Sequence, residues 1–338
     1  MKHGILGYYH HFGEPNDINI GDYIQSLAQA MFLGKIDYFV PRENIKNFKA
    51  KEKTLMILNG WFKDYPLDWP PSPCIESLFV SFHIRRAIAE QMLSQDCIEY
   101  FKRHAPIGCR DKNTEKLLKD KGIESYFSGC LTLTLGKKYK TQNKTDKIYF
   151  VDALTIRPKF LARPIFIIKN FFKTIKILKI WKEQDFNQEY PLFKIFRRAN
   201  NLYSQYSKHF SDEILFNAEY ICHTVHPEMF KNEQEKLNYA ENLVRKYACA
   251  KLVVTSRIHC ALPCVGLETP VIFVTDENGD IGAEDRLDGL IDLFDKIAYA
   301  TGDGLIFKEH KKTDYIPLKN ALVKRVKEFI RQKDTQNV

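Results

Sequence analysis

The chain has 338 residues, 44% of them hydrophobic and 28% charged, with a formal net charge of +9. That length exceeds one ordinary core and suits two domains of roughly 100 to 200 residues. No run approaches the roughly 18 apolar residues that cross a bilayer and the start, "MKHGILGYYHHFGE", lacks a signal peptide's apolar stretch, so a cytoplasmic protein is expected.

In chain order, "HGILGYYH" reads as a first strand, followed by the polar loop "FGEPNDINIGD" and a helix, "YIQSLAQAMFLG", closed by Gly34. "TLMILNGW" and "SLFVSFHI" are two more strands. "IAEQMLSQDCIEYFKRH" is a helix leading to the short strand "APIGCRD". The helix "NTEKLLKDKG" has Asn113 as its predicted cap and Gly122 as its stop, and "ESYFSGCLTLTL" reads as a strand closing the first half. The run 137–147 is polar and without period, hence a linker. Beyond it "IYFVDAL", "EYICHTV", "AKLVVT" and "TPVIFV" are strands with helices between them, and "TDYIPLKNALVKRVKEFIRQK" is a closing amphipathic helix.

Strands alternating with helices predict parallel sheets with crossovers. The expected architecture is α/β: two doubly wound, Rossmann-like domains facing a cleft, at 1–136 and 148–312, with a C-terminal helix in 313–338. Eight cysteines without a CxxC pair, in a chain with no secretion signal, read as reduced and structural. Cys260 and Cys264 share a helix face but lack further ligands, so no metal is expected.

The charge excess is local. Between 157 and 182 lie eight Lys or Arg and no Asp or Glu, which argues against a broad nucleic-acid face. From Pro164 this segment reads as a basic amphipathic helix, with Lys169, Lys173 and Lys176 on one side and Ile168, Phe171, Ile175, Leu178 and Trp181 around the other. Such a helix suits an anionic membrane surface or, equally, the flank of a sheet.

The stretch "AKLVVTSRIHCALPCVGLETPVIFV" carries the chemistry. Ligands of open α/β sheets bind beyond the carboxyl ends of strands, where helix N-termini offer free N–H groups, so an anion is expected after "VVT". Thr255 and Ser256 can both cap the following helix. Arg257 and His259 stand two apart, which brings them to one side only if the chain is still extended there, and Pro263 is expected to weaken the helix over its first turns. An arginine fork suits phosphate or carboxylate; a histidine moves protons near neutral pH.

Three stretches in register resemble the polysaccharide pyruvyl transferase family: "NIGDYIQSLA" with Asn19, Gly21 and Asp22, "PIGCRDKNTEKLLKDKGI" with Arg110 and Asp111, and "VVTSRIHCALPCVGLETPVIF". The resemblance implies a fold like that of GT-B glycosyltransferases, phosphoenolpyruvate as donor, a hydroxyl pair on a glycan or lipid-linked glycan as acceptor, a pyruvate ketal as product and no metal or other cofactor. It implies His259 and Arg257 as catalytic, and Arg110, Arg257, Ser256 and Arg286 on the donor. Asn19 and Asp22, from a first domain that forms the acceptor side, and His223, after a strand of the second, would be acceptor contacts; His226 reads as structural. Where relatives have a Gly-Gly element this chain has "NGW", and Trp61 reads as packing. A nucleotide-sugar glycosyltransferase and a catalytically silent glycan-binding protein are the rival readings of the same architecture.

Overall fold

The computed structural model describes residues 1–8, 17–62, 69–156, 163–186, 190–276, 286–308 and 311–335. In chain order the elements are β1 (Lys2–Gly7), β2 (Ile18–Asn19), α1 (Ile20–Leu33), β3 (Tyr38–Pro41), β4 (Thr54–Phe62), β5 (Ile75–Ile84), α2 (Ala89–Met92), α3 (Gln95–Arg103), β6 (Ile107–Cys109), α4 (Lys112–Lys119) and β7 (Ser125–Phe127). They continue with α5 (Gly136–Tyr139), β8 (Ile148–Val151), α6 (Arg163–Glu183), α7 (Leu192–Tyr206), α8 (Asp212–Asn217), β9 (Glu219–Ile221), β10 (Thr224–Val225), α9 (Glu233–Cys249), β11 (Leu252–Thr255) and α10 (Ile258–Leu267). The last are β12 (Val271–Asp276), β13 (Lys296–Thr301), β14 (Gly304–Lys308) and α11 (Ile316–Thr335).

Two six-stranded sheets result. One, ordered β3-β1-β4-β5-β6-β7, is parallel throughout. The other, ordered β14-β13-β12-β11-β8-β9, is parallel except for the terminal β13–β14 hairpin. The near-continuous apolar strands follow from burial on both faces. In the second sheet Tyr149, Val151, Val253 and Phe273 enter one core while Phe150, Val254, Ile272 and Val274, at alternate positions, enter another with α6 and α7.

Strand order reverses between β1 and β4 in the first sheet and between β8 and β11 in the second. At such a reversal the helices leave to opposite faces and open a crevice at the strand ends. The two halves are stitched near these crevices, where Ile18 and Asn19 pair antiparallel with Val225 and Thr224 and the His223 carbonyl accepts Ile20 N–H at 2.8 Å. They also meet where α10 lies on residues 131–135. Gly266 allows that approach, since a Cβ there would sit 2.4 Å from the Leu133 carbonyl oxygen.

Several sequence expectations shift. "CLTLTL" is not strand: 131–135 form a 3-10 turn, its leucines all buried against α10. Asp111, not Asn113, caps α4, accepting Thr114 N–H at 2.8 Å. The run 137–147 opens with α5 and is then tied down, Lys144 Nζ donating to the Ala248 carbonyl at 2.6 Å. Strands β3 and β14 gave no clear pattern because they lie at sheet edges, and β13, between β12 and β14, was also unread. The closing helix forms as expected and packs Leu322, Val326 and Phe329 into the core shared with the first sheet, with Lys333 Nζ 2.8 Å from Glu76.

Candidate functional site

At the second sheet's reversal, Asp152 follows β8 and Arg257 follows β11. Arg257 Nε donates to Asp152 Oδ2 at 2.6 Å and Nη2 to Thr224 Oγ1 at 3.2 Å. Asp152 also accepts the His223 backbone N–H at 3.0 Å, and its carbonyl accepts the Ser256 hydroxyl at 2.6 Å. Burial alone would raise the Asp152 carboxyl, but the Arg257 charge and these N–H donors outweigh it and hold the pKa below 3.8. The Arg257 side chain is 40% exposed.

Neither Ser256 nor Thr255 caps α10. Arg257 itself is the extended cap residue, its N–H held by Thr255 Oγ1 at 3.0 Å. The helix begins at Ile258 and runs through Pro263 to Leu267, so Pro263 does not unravel its start. A proline in that place removes one N–H donor, and the helix tolerates it because both flanks are packed in the core.

Arg257 and His259 therefore diverge. His259, in the first helical turn, is 7% exposed and its Nε2 is buried without a hydrogen-bond partner. Burial, then the charges of Arg110, His223, Arg286 and His83, push its pKa well below 6.5. Arg110, at the end of β6 in the other sheet, is 3% exposed, and its buried Nε has no hydrogen-bond partner although Asp111 Oδ2 lies 3.8 Å away. His223 Nε2 meets the Tyr247 hydroxyl at 2.8 Å while Nδ1 is buried and unpartnered.

Around this group the sequence reading missed one support, His83. His83 Nδ1 lies 2.6 Å from Asp111 Oδ2; an ionised carboxylate only accepts, so Nδ1 carries the proton. Burial and Arg110 lower the His83 pKa despite that bond. Burial would raise Asp111, but the His83 bond and charge, Arg110 and the Thr114 N–H together hold it low. Asp152 was likewise missed; a charged residue directly after the apolar strand "IYFV" was the available signal.

The Asn19–Asp22 loop lies against the same group. Asn19 caps α1 by accepting Gly21 N–H at 3.1 Å, and a Cβ on Gly21 would sit 3.3 Å from His259 Cβ and 3.4 Å from His223 Nδ1. Asp22 is buried beside Arg42 at 3.7 Å and accepts from Gln25 Nε2 at 3.0 Å. Arg42 in turn stacks over Tyr8 and Trp61, so Trp61 walls the first sheet's crevice. Arg286 is exposed, close enough for its charge to depress His259 and His83. His226 is half exposed at the surface, capping a turn of 3-10 helix.

Thus Arg110, His223, His259, Gly21 and His83 come together, with Arg286 at the margin, while Ser256, Arg257 and Asp152 form a second cluster on the other side of the α10 start. Among the described residues no three His, Cys, Asp or Glu are grouped to hold a metal ion.

The basic segment differs from its expected partition; residues 157–162 lie outside the described residues. In α6 the buried side chains are Thr174, Ile177 and Trp181, whereas Ile168 is 79% and Phe172 84% exposed, and Phe171 is also outward. The seam with α7 is partly polar: Asn170 Nδ2 donates to Ser204 Oγ at 2.7 Å and Asn200 Nδ2 to Thr174 Oγ1 at 3.0 Å. Polar pairs lie along the buried stripe of a helix whose apolar residues fall on more than one face, which hydrophobic period alone could not indicate. Lys173 is paired with Asp212 and Lys176 lies over the Phe216 ring. Among the described residues no helix is long and apolar enough to cross a membrane.

A family model described as polysaccharide pyruvyl transferase matches residues 19–278, well over half of the chain. Among solved structures, an uncharacterised protein of Klebsiella pneumoniae is similar over 82% of this chain and 86% of its own, at 12% identity and a TM-score of 0.40. No curated protein matches significantly.

Proposed function

Since the chain belongs to the polysaccharide pyruvyl transferase family, we propose that it transfers pyruvate from phosphoenolpyruvate to two hydroxyls of a surface glycan or its precursor, forming a ketal. The observation that carries this reading is the set of buried nitrogens without partners among the described residues, Arg110 Nε, His223 Nδ1 and His259 Nε2, with the charges of Arg110 and Arg286 acting on His259. Buried polar atoms without partners are costly, and a small polyanion is the ligand that satisfies all three.

The chemistry uses these groups as follows. Arg110, with Arg257 and Ser256 across the α10 start and Arg286 at the rim, holds the phosphate and carboxylate of the donor. His259 is neutral beside Arg110; the donor's negative charge raises its proton affinity, so the ring takes a proton as the donor arrives. That proton passes to the donor's methylene carbon, giving a methyl group and a cationic centre at the adjacent carbon. The first sugar hydroxyl adds there and its proton returns to His259. Phosphate leaves with its bridging oxygen, the second hydroxyl closes the ketal, and its proton goes to the phosphate. Each of the two hydroxyl protons is thus accounted for, and no water is consumed. Fixed charge supplies the larger rate term and the proton shuttle about 100- to 10,000-fold. Asn19 and Asp22 line the side from which the acceptor approaches, which the GT-B resemblance assigns to the first half of the chain, and His223, from the second half, meets both ligands.

Outward Ile165, Ile168 and Phe172 with Lys169, Lys179 and Lys182 suit an anionic bilayer, apolar tips among headgroups and lysines on phosphates.

Incubation with phosphoenolpyruvate and a panel of free and lipid-linked glycans, read by phosphate release and by mass spectrometry, tests the proposal. The expected product is the glycan plus pyruvate less water, lost in His259→Ala. No phosphate release from phosphoenolpyruvate, together with sugar transfer from a nucleotide sugar, would favour a glycosyltransferase; neither, with glycan binding retained, would leave a binding protein.

A further inference from the structure

A cavity of about 560 Å³ opens at the ends of β8 and β11, walled on its far side by α6 and α7. It shares Arg257, Ser256 and Asp152 with the strand-mouth cluster, and the donor chemistry above uses none of the rest of it. Its outer wall carries Lys194, Arg197 and Arg198, at i, i+3 and i+4 of α7 and hence on one face of that helix. Lys194 Nζ lies 3.8 Å from the centroid of the Tyr190 ring and Arg198 Cζ 4.8 Å. Neither Lys194 nor Arg197 meets a carboxylate among the described residues, whereas Arg257 at the same cavity does.

A second observation points to a ligand. Trp181 lines the cavity, is 2% exposed, and its indole Nε1 is buried with no acceptor among the described residues. A buried N–H donor among three cations calls for an acceptor-only, negatively charged group. The volume exceeds what one phosphate fills and lies within the range of sites for ligands of a few hundred daltons. The aromatic walls, Tyr190, Phe186 and Tyr220, suit a ring or hydrocarbon attached to it.

We propose that this cavity is a binding site for a diphosphate ester, and that it holds the diphosphate end of an activated glycan acceptor whose sugar reaches past Arg257 to the donor. The second half of this statement rests on the transfer reading; the first does not. Lys194, Arg197 and Arg198 grip the diphosphate oxygens, the indole N–H of Trp181 donates to one of them, and the ester substituent lies along Tyr190. Two sources share this chemistry, a lipid diphosphate and a nucleoside diphosphate.

The test has two arms. In calorimetry on the full chain, inorganic diphosphate is expected to bind, and the double variant Lys194→Gln/Arg197→Gln to weaken it about 10- to 100-fold, the loss of one or two charge-assisted contacts, with phosphoenolpyruvate affinity unchanged. Circular dichroism checks that both variants fold; Trp181→Phe, which keeps an aromatic side chain, though a smaller one, and removes the donor, gives an independent reading in the same direction. In the transfer assay, one glycan is offered free, as a polyprenyl-type lipid diphosphate and as a nucleoside diphosphate. At least one diphosphate form should show a KM about tenfold or more below that of the free glycan, an advantage the double variant loses while its kcat on the free glycan stays; whichever form benefits identifies the source. Diphosphate that fails to bind, or binds equally to the double variant, overturns the site. Equal KM for all three forms overturns its assignment to the acceptor. Failure of transfer with every acceptor, with diphosphate binding intact, would instead count against the transfer reading alone.

Discussion

Replacing Asp152 by alanine removes the anchor of the strand-mouth arginine. The carboxylate is 13% exposed and accepts Arg257 Nε at 2.6 Å and the His223 backbone N–H at 3.0 Å. An N–H left buried without its acceptor costs about 1–3 kcal/mol. Arg257 is 40% exposed, so water recovers much of its solvation, and the ion pair contributes nearer the 1 kcal/mol of exposed pairs than the roughly 3–5 of fully buried ones. The variant should lose about 2–4 kcal/mol in urea unfolding at neutral pH. Because the native pKa of Asp152 lies below 3.8, its contribution is present above that value and fades as pH falls through the lower native pKa. With Arg257 unanchored, KM for phosphoenolpyruvate should rise about 10- to 100-fold and kcat should fall less. Asp152→Asn, which keeps an acceptor for His223 without the charge, should recover part of the stability but not the KM. Wild-type stability and KM in Asp152→Ala would refute the argument.

His259, His83 and His104 all have pKa values pushed below 6.5, by burial first. The unfolded chain takes up protons that the native protein cannot, so stability is full above about pH 6.5 and falls below it by up to about 1.4 kcal/mol per pH unit for each such histidine. His259→Gln should make the loss between pH 6.5 and 5.5 shallower by about one such increment, measured by urea unfolding; an unchanged slope would contradict a neutral native ring. Gly266→Ala places a methyl 2.4 Å from the Leu133 carbonyl oxygen, where backbone must move, and should cost about 3 kcal/mol or more in thermal unfolding. The outward face of α6 should carry the protein with anionic liposomes in flotation at low salt, and Ile168→Glu with Phe172→Glu should abolish it; a wild-type protein that stays in solution would end the membrane proposal.

What the sequence determined by itself was local and periodic. Runs such as "TLMIL", "KLVVT" and "PVIFV" can bury both faces only as interior parallel strands, and Gly34 and Gly122 end their helices at positive φ. The "NIGD", "CRD" and "SRIH" stretches marked three corners of the candidate site because unusual polar residues stand at strand ends and helix starts. Tertiary structure decided how those corners face one another. Arg257 and His259, two residues apart, part company because one still caps a helix in extended backbone while the other has entered it. Asp152 and His83 acquired roles through partners 105 and 28 residues away, and along the buried stripe of α6 Asn170 and Thr174 meet partners on α7. Spacing fixes which way a side chain points within its own element; which charge or ring it then meets depends on packing between elements distant in the chain.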